Sequence, residues 1–396
     1  MSTSTSLPAD LLTRGVEEII QADSLKKKLQ SGRKLRIKHG VDPTTTDLHL
    51  GYAVVYQKLR AFQELGHTIV FLIGDFTARF GDPTDQQRAR TLKDKKEVEK
   101  LARHYIDQAG LILDISKTEV RRNSEWYDKM SAEELLQLQA RFTVAQLMER
   151  DMFVERQKAG KEIGYHEPVY PILQAYDSVM LESDLTVIGT DQTFNELQAR
   201  PLQKENGQEP QEVMSMRLLI GTDGKRKMSQ SLGNYIGLTD SPKEMYGKLM
   251  SIPDKLIMEY FELATRVPVD ELQSIKKKLD RGANPRDIKA RLAATIVELY
   301  HGPKAASQAG QEFTNVFRKN QTPKDIAEYA VKRKKLPLVD LLVEAKLASS
   351  KSEARRLVEQ KAVKVDGKAE NDWQMAKHWP SGAIIQVGKR KFVKIV

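Results

Sequence analysis

The segment from Lys34 to Ile73 constrains the fold most, because strand and helix patterns alternate in it with glycines between them. Lys34 to His39 predicts a strand, Gly51 to Leu65 has apolar residues at helical spacing, and Thr68 to Ile73 predicts a second strand. A strand, a helix and a strand in this order form the βαβ unit of a parallel sheet. The segment therefore predicts an α/β fold.

The rest of the chain divides by pattern. Leu185 to Ile188 and Met214 to Ile220 predict later strands, and the stretch from Glu119 to Gly164, which includes Ala140 to Arg156, predicts a mostly helical insertion. We expect a catalytic domain over 1–235 with this insertion at 119–164, a helical domain over 236–330 and a small α+β domain over 336–396.

The helical domain and the C-terminal domain are predicted element by element. Pro242 to Lys332 is expected to be all-helical, with helices at Lys243–Met250, Asp254–Thr265, Pro285–Leu299 and Pro303–Arg318. After the charged linker 332–335, two helices and three β segments are expected at Leu336–Lys346, Lys351–Gln360, Ala362–Val365, Gly382–Val387 and Lys391–Val396.

The charge is concentrated at the C-terminal end. Residues 331–396 hold 16 Lys and Arg against 7 Asp and Glu, a net charge of +9 out of +10 for the 396 residues. A nearly neutral body with a basic C-terminal domain favours a polyanionic partner, most simply nucleic acid. A basic surface that serves only solubility is the alternative.

Two whole classes of protein are disfavoured by composition. The chain has no cysteine, which excludes disulfides and thiolate metal sites. Apolar runs such as Ile69 to Ile73 are too short to cross a bilayer, and Met1 to Asp10 lacks the pattern of a secretory signal. We expect a cytoplasmic enzyme without a membrane partner.

Two distant segments carry residues suited to a nucleotide. In the first, residues 42–52, His49 at the start of a predicted helix can donate an imidazole N–H to a phosphate, Gly51 leaves the backbone open, and Thr44 adds a hydroxyl. In the second, residues 224–231, Lys227 and Ser229 lie in a glycine-flanked loop that can close over a pyrophosphate. Each segment alone also fits an ordinary helix cap or a basic surface loop.

Two further groups suit ligand recognition. Tyr170, Gln174 and Asp177 share one helix face by their spacing, and a polar stripe of this kind fits either a ligand-reading surface or a solvated face. The stretch from Gly189 to Gln192 follows a predicted strand, where Asp191 can accept ribose hydroxyls, although such a sequence is also an ordinary helix cap.

Together, residues 42–52 and 224–231 resemble the "HIGH" and "KMSKS" elements of the class I aminoacyl-tRNA synthetases, and most closely those of the tyrosyl-tRNA synthetases. The resemblance extends over nearly the whole chain. It implies a Rossmann-like catalytic domain whose helical insertion forms a homodimer interface, an anticodon-binding helical domain and a C-terminal S4-like RNA-binding domain.

The resemblance also implies roles for residues at matching positions. Catalytic roles fall to His49, Thr44, Lys227, Ser229 and Arg90. ATP would be bound by Gly40, Asp42, His49, Gly51, Tyr52, Gly189, Asp191, Lys227, Met228 and Ser229. Tyrosine would be bound by Lys38, Thr77, Asp82, Tyr170, Gln174, Asp177 and Gln192. Asp177 would meet the phenol hydroxyl and so disfavour phenylalanine, a selectivity for which this enzyme family is itself the known example.

Four positions depart from the family pattern. Tyr52 replaces a second histidine and Gln230 replaces the second lysine of the mobile loop, where Arg226 or Lys225 would compensate for the lost charge. Lys38 stands where some relatives have a tyrosine that shares the substrate hydroxyl, and Gln86 replaces a loop lysine.

The C-terminal resemblance is to S4-type domains. On the predicted helix after residue 350, Lys351, Arg355 and Arg356 would contact RNA phosphates, and the turn at 388–391 would add further cations. Contacts of this kind supply affinity more than sequence choice.

The resemblance implies a ligase that converts L-tyrosine and ATP, with Mg²⁺ on the phosphates and no protein-held metal, to tyrosyl-adenylate and then charges the 3′ end of tRNA(Tyr). One alternative is a tryptophanyl enzyme, against which the S4-like domain and Asp177 argue. Another is a synthetase-like RNA-binding protein in which Tyr52 and Gln230 have weakened catalysis.

Overall fold

The computed structural model describes residues 8–82, 94–318 and 326–396, apart from 332, 334, 375, 389 and 390. It divides into two compact units, of which the first contains residues 1–241 with 248–300 and the second contains 242–247 with 301–396. Among the described residues, no helix is both long enough and apolar enough to span a bilayer.

The first unit is built on one sheet of six strands, which are β1 (Val16–Ile20), β2 (Arg36–Val41), β3 (Thr68–Ile73), β4 (Thr118–Arg122), β5 (Leu185–Gly189) and β6 (Glu212–Met216). Their order in the sheet is β1-β6-β5-β2-β3-β4. The strands β2 to β6 run parallel to one another, whereas β1 pairs antiparallel with β6 at the edge. The predicted α/β class with a parallel sheet is therefore confirmed.

Helices connect these strands and continue beyond the sheet. Those up to β6 are α1 (Ala22–Gln30), α2 (Leu50–Glu64), α3 (Lys95–Ala109), α4 (Ser124–Tyr127), α5 (Ala132–Gln139), α6 (Val144–Leu147), α7 (Asp151–Lys158), α8 (Tyr170–Leu181), α9 (Thr193–Leu197) and α10 (Ala199–Glu205). After β6 come α11 (Pro242–Met250), α12 (Ile257–Ala264), α13 (Val269–Asp280) and α14 (Pro285–Arg318), which is kinked at Gly302.

The predicted βαβ unit is present as β2, α2 and β3. The last five residues of β3 are buried, as expected for a strand covered on both faces. Its neighbour β2 is two residues later than predicted and includes Gly40 and Val41. Because both strands are parallel, their carboxyl ends lie at one edge of the sheet, where a ligand site of an α/β protein is expected.

Two predicted elements of this unit differ from the structure. The strand expected over Met214 to Ile220 ends at Met216, because Leu218 and Leu219 leave the sheet and line a cavity instead. The continuous helix expected over Ala140 to Arg156 is two short helices, α6 and α7, and Thr143 caps the first of them with its side chain. The predictions also omitted β1, α1, α3 and α13. In addition, β4 forms where the helical insertion was expected to begin at Glu119, because it pairs in parallel with β3.

The second unit contains a small α+β core. Its helices α15 (Leu338–Glu344) and α16 (Lys351–Glu359) share an apolar core with the strands β7 (Ala327–Tyr329), β8 (Leu336–Pro337), β9 (Val363–Val365), β12 (Ile384–Val387) and β13 (Lys391–Ile395). The unit also contains the short strands β10 (Lys368–Ala369) and β11 (Ala376–Lys377). The sheet order is β10-β9-β12-β13-β7, with a separate β11-β8 pair. Residues Ala327–Tyr329, expected within the helical region, form a strand because they pair in parallel with β13.

Candidate active site

A cavity of about 250 Å³ opens at the carboxyl ends of β2 and β5. Every described residue that was predicted to bind nucleotide or amino acid lines this cavity, although these residues are spread from position 38 to position 229 of the sequence. These are Lys38, Gly40, Asp42, Thr44, His49, Gly51, Tyr52, Thr77, Asp82, Tyr170, Gln174, Asp177, Gly189, Asp191, Gln192, Lys227, Met228 and Ser229. Arg90 and Gln86 lie outside the described residues.

His49 is the N-cap of α2, and its side chain faces this cavity. Its Nδ1 accepts a hydrogen bond of 3.1 Å from the backbone N–H of Gly51. Burial, and secondly the charge of Lys227, lower the pKa of His49 from 6.5 to about 4. The ring is therefore neutral at pH 7, and because Nδ1 is an acceptor, the proton is on Nε2. A neutral imidazole with an N–H to donate is the group expected at a phosphate.

Gly51 makes this cap possible. A Cβ atom at this position would lie only 2.9 Å from two ring atoms of His49. The glycine was singled out because it opens the backbone to a ligand, and the structure adds a second reason, which is space for the imidazole.

The loop of residues 224–231 lies beside the His49 segment. The ammonium of Lys227 is 3.0 Å from a carboxylate oxygen of Asp191. Asn234 holds the loop from within, since its side-chain amide donates to the carbonyl of Lys227 at 3.0 Å and accepts from the N–H of Ser229 at 2.9 Å. Gln230 donates to the carbonyl of Asp47 at 2.7 Å and so ties the loop to the first segment.

Asp42 lies deeper in the cavity and accepts two hydroxyl hydrogen bonds, from Thr77 at 2.8 Å and from Tyr170 at 3.0 Å. Burial raises the pKa of Asp42 from 3.8 to about 7, although the two hydrogen bonds by themselves lower it. A Cβ at Gly74 would lie 2.1 Å from Asp42 Oδ1, so the carboxylate of Asp42 can occupy this position only because residue 74 is a glycine.

Asp177, predicted to meet a phenol, is buried on α8. It accepts hydrogen bonds from Trp126 Nε1 at 3.0 Å and Asn123 Nδ2 at 3.3 Å. Burial raises the pKa of Asp177 to about 7, and the nearby charge of Lys38 acts in the opposite direction. Sequence reasoning missed Asn123 and Trp126. Their position directly after β4, at the same sheet edge, was the available signal.

Asp82 is held from two sides. It accepts from the Gln192 side-chain amide at 2.7 Å and pairs with Arg150 at 3.2 Å. The cation Arg150 was not predicted, and its place between two short helices of the insertion gave no pattern that would have identified it.

Lys38, expected near the substrate hydroxyl, lines the cavity, and its ammonium contacts two other side chains. It is 2.9 Å from Glu196 and 2.5 Å from the hydroxyl of Ser178. Glu196 also lines the cavity, and sequence reasoning missed it.

The residues predicted for RNA, Lys351, Arg355 and Arg356, are exposed on α16 of the second unit. Lys351 pairs with Asp340 at 2.7 Å, and the guanidinium of Arg355 lies 4.3 Å from the ring centre of Trp373. Lys389 and Arg390 of the 388–391 turn lie outside the described residues.

Comparisons with known proteins give one consistent answer. Residues 30–318 match the family model described as tRNA synthetases class I (W and Y). Residues 319–395 match the one described as Tyrosine--tRNA ligase SYY-like C-terminal domain.

Curated relatives cover almost the full chain. A Tyrosine--tRNA ligase of Moorella thermoacetica is 47% identical over 390 residues, which is 97% of this chain and 94% of that protein. A Tyrosine--tRNA ligase of Thermotoga maritima is 47% identical over 97% of this chain and 96% of its own length. A Tyrosine--tRNA ligase 2 of Vibrio vulnificus is 48% identical over 97% of both.

Solved structures share the fold at lower identity. A C-terminally truncated mitochondrial tyrosyl-tRNA synthetase of Aspergillus nidulans aligns with a TM-score of 0.65 at 22% identity, over 77% of this chain and 92% of that one. The tyrosyl-tRNA synthetase of Archaeoglobus fulgidus, complexed with L-tyrosine, aligns with a TM-score of 0.62 at 23% identity, over 76% and 98%.

Proposed function

The chain belongs to the class I tyrosyl-tRNA synthetase family, and from this premise we propose how its cavity is used. It is a ligase that activates tyrosine with ATP and transfers it to tRNA. The observation that carries the site assignment is that His49 and Lys227, 178 positions apart in the sequence, line one cavity together with Asp177.

Tyrosine is assigned to the part of the cavity between α8 and the start of α9. The phenol hydroxyl donates to Asp177, whose other hydrogen bonds come from Trp126 and Asn123. The ammonium group lies among Tyr170, Gln174 and Asp82, with Thr77 nearby. A buried carboxylate deprived of the phenol would be left short of a donor, so phenylalanine binds more weakly.

ATP is assigned to the part between His49 and the loop. The Nε2–H of His49 and the hydroxyl of Thr44 donate to the α-phosphate region, while Lys227 and Ser229 meet the pyrophosphate. Asp191 accepts the ribose hydroxyls, and Gly51 and Met228 flank the base. Arg90, outside the described residues, is assigned to the pyrophosphate by family resemblance alone.

In the first step a carboxylate oxygen of tyrosine attacks the α-phosphorus, and the bond to the bridging oxygen of pyrophosphate breaks. Negative charge accumulates on the phosphoryl oxygens and on the leaving pyrophosphate, where neutral N–H donors and a lysine stabilise it. In the second step a terminal ribose hydroxyl of tRNA attacks the tyrosyl carbonyl and AMP leaves.

Magnesium is assigned to the nucleotide. Mg²⁺ is commonly held by substrate phosphates and water, and when bound it neutralises phosphate charge. The part of the chain that the structure describes contains no group of three or more His, Cys, Asp or Glu side chains suited to a metal. The residues that we assign to the phosphates are N–H and hydroxyl donors and a lysine.

We assign tRNA contacts to α16, where Lys351, Arg355 and Arg356 share an exposed face, and the anticodon end to the helical region of 236–330. We propose a cytoplasmic location, which the bacterial organisms of the curated relatives support.

A homodimer through the insertion is supported by apolar side chains that solvent reaches in the single chain. Leu136 is 65% exposed and Val144 is 75% exposed, on neighbouring helices. Residues of this kind mark an interface when they cluster.

The experiment that tests the proposal is amino-acid-dependent exchange of labelled pyrophosphate into ATP. Exchange with tyrosine supports it, and exchange with tryptophan would favour the tryptophanyl alternative. Exchange with neither would favour the catalytically weakened protein. The curated relatives, named for tyrosine at 47–48% identity, favour the first outcome.

A further inference from the structure

A buried ion pair in the wall of the cavity, at its amino-acid end, has no part in the mechanism above. Lys38 on β2 and Glu196 on α9 lie 2.9 Å apart, and each side chain is only 1% exposed. Removing such a pair from water is costly, and an apolar pair of similar size is often at least as stable. Its presence at a ligand site therefore calls for a functional explanation.

The two oxygens of Glu196 have separate partners. Oε2 pairs with Lys38 and accepts from Gln211 at 2.9 Å. Oε1 accepts from the side-chain amide of Gln174 at 2.8 Å. Gln174 is one of the residues that we assign to the substrate ammonium group.

This contact determines which way the Gln174 amide points. An ionised carboxylate only accepts hydrogen bonds, so the NH₂ of Gln174 must face Glu196. The oxygen of Gln174 then faces the opposite side, where it accepts from Asn195 Nδ2 at 2.8 Å. That oxygen has a second lone pair, which suits an ammonium donor.

The orientation is propagated along the wall of the cavity. Asn195 also donates to the side-chain oxygen of Gln192 at 3.1 Å, so the NH₂ of Gln192 faces Asp82 and donates to it at 2.7 Å. The Gln174 amide is thus oriented by Glu196, and the NH₂ of Gln192 is fixed from both sides by Asn195 and Asp82, while Gln174, Gln192 and Asp82 all line the cavity.

We propose that Glu196, held by Lys38, is a positioning residue for substrate recognition, which orients the Gln174 amide so that an oxygen and not an NH₂ group meets the tyrosine ammonium. This rests on the assignment of Gln174 under the proposed function. Because Lys38 neutralises Glu196, the effect comes from orientation and not from added negative charge.

The test compares two ligands that differ only in the amino group. Dissociation constants are measured by calorimetry for L-tyrosine and for 3-(4-hydroxyphenyl)propanoic acid, which keeps the phenol and the carboxylate. The ratio of the two constants isolates the ammonium contribution. In Glu196→Gln, whose amide allows Gln174 to flip, we expect the ratio to shift by about tenfold against tyrosine. Binding of the acid should change by less than about twofold.

A matched control removes another partner of the same carboxylate. Gln211→Met deletes the donor to Oε2 and leaves Gln174 untouched, so the ratio should stay at the wild-type value even where stability falls. If Glu196→Gln fails to fold because Lys38 is left unpaired, Lys38→Met/Glu196→Gln removes both charges. Loss of Lys38 also alters the surroundings of the phenol, but both ligands carry the phenol, so that effect cancels in the ratio of dissociation constants. The ratio for this double variant should therefore shift by about tenfold, as for Glu196→Gln.

A double-mutant comparison tests whether Glu196 acts through Gln174. In a Gln174→Met background, adding Glu196→Gln should change the ratio by less than about twofold, because the oriented group is gone. An unchanged ratio in a folded Lys38→Met/Glu196→Gln variant, with Gln174→Met still shifting it, overturns this inference alone. An unchanged ratio in Gln174→Met overturns the assignment of Gln174 under the proposed function.

Discussion

The ammonium of Lys227 lies 3.0 Å from a carboxylate oxygen of Asp191, although 36 positions separate them in the chain. The two groups are assigned to different parts of the same nucleotide, the cation to the pyrophosphate and the carboxylate to the ribose. Their contact brings the loop of residues 224–231 to the carboxyl end of β5, on the same cavity as His49.

Loss of the Lys227 charge should act on the chemical step. We expect Lys227→Met to lower the rate constant of tyrosine-dependent pyrophosphate exchange by about 10² to 10³, the usual effect of removing one group that stabilises transition-state charge. The dissociation constant for tyrosine should stay within about twofold. Lys225→Met is the matched control, because Lys225 is exposed in the same loop. An equal loss in both variants would mean that only the net charge of the loop matters.

His49 has two roles that substitutions can separate. His49→Ala removes both the phosphate donor and the cap of α2, so we expect a rate loss of about 10² and a stability loss of about 1 kcal/mol. His49→Asn keeps a side chain that can cap the helix, so stability measured by urea unfolding should be close to wild type while the rate stays low. Full activity in His49→Asn would contradict the assigned role of the imidazole.

Gly51→Ala should lower activity by displacing the side chain of His49. The added Cβ would lie 2.9 Å from the His49 ring and displace it. A misplaced catalytic group commonly reduces rate severely, so we expect pyrophosphate exchange to fall at least about tenfold, toward the rate of His49→Ala. Tyrosine binding, measured by calorimetry, should be unaffected. An additive loss in His49→Ala/Gly51→Ala would show that the two substitutions act by separate routes.

Asp177 should make stability depend on pH. Its pKa of about 7 in the fold, against 3.8 normally, means that the folded chain binds more protons than the unfolded chain between about pH 4 and 7. The contribution is therefore fully present below about pH 4 and is lost as pH rises through 7. It amounts to at most about 4 kcal/mol.

Urea unfolding without ligands at several pH values measures this effect. The free energy of unfolding of the wild type should fall, relative to that of Asp177→Asn, as the pH is raised from 5 to 8. Any constant difference from altered hydrogen bonds drops out of that slope. Parallel pH profiles for the two proteins would show that the carboxyl group ionises normally.

Local sequence was sufficient to predict helices and strands where periodicity and turn residues within a short segment determine the structure. The helix over 50–64 and the strand over 68–73 were predicted within one residue, and the face carrying Tyr170, Gln174 and Asp177 does line the cavity. Predictions of secondary structure failed where packing against residues distant in the sequence determined the conformation. The Leu218–Leu219 pair is apolar enough for a strand, but its burial comes from the cavity wall and not from a sheet.

The sequence by itself determined the α/β class, the two segments that line the cavity around His49 and Lys227, and the family, since these depend on residue types at short spacings. Only the tertiary structure decided that Lys38 pairs with Glu196, that Arg150 holds Asp82 and that Trp126 and Asn123 face Asp177. The physical reason is that hydrogen-bond partners within a site are selected by distances of about 3 Å in space, and a single sequence does not encode which distant residues reach one another.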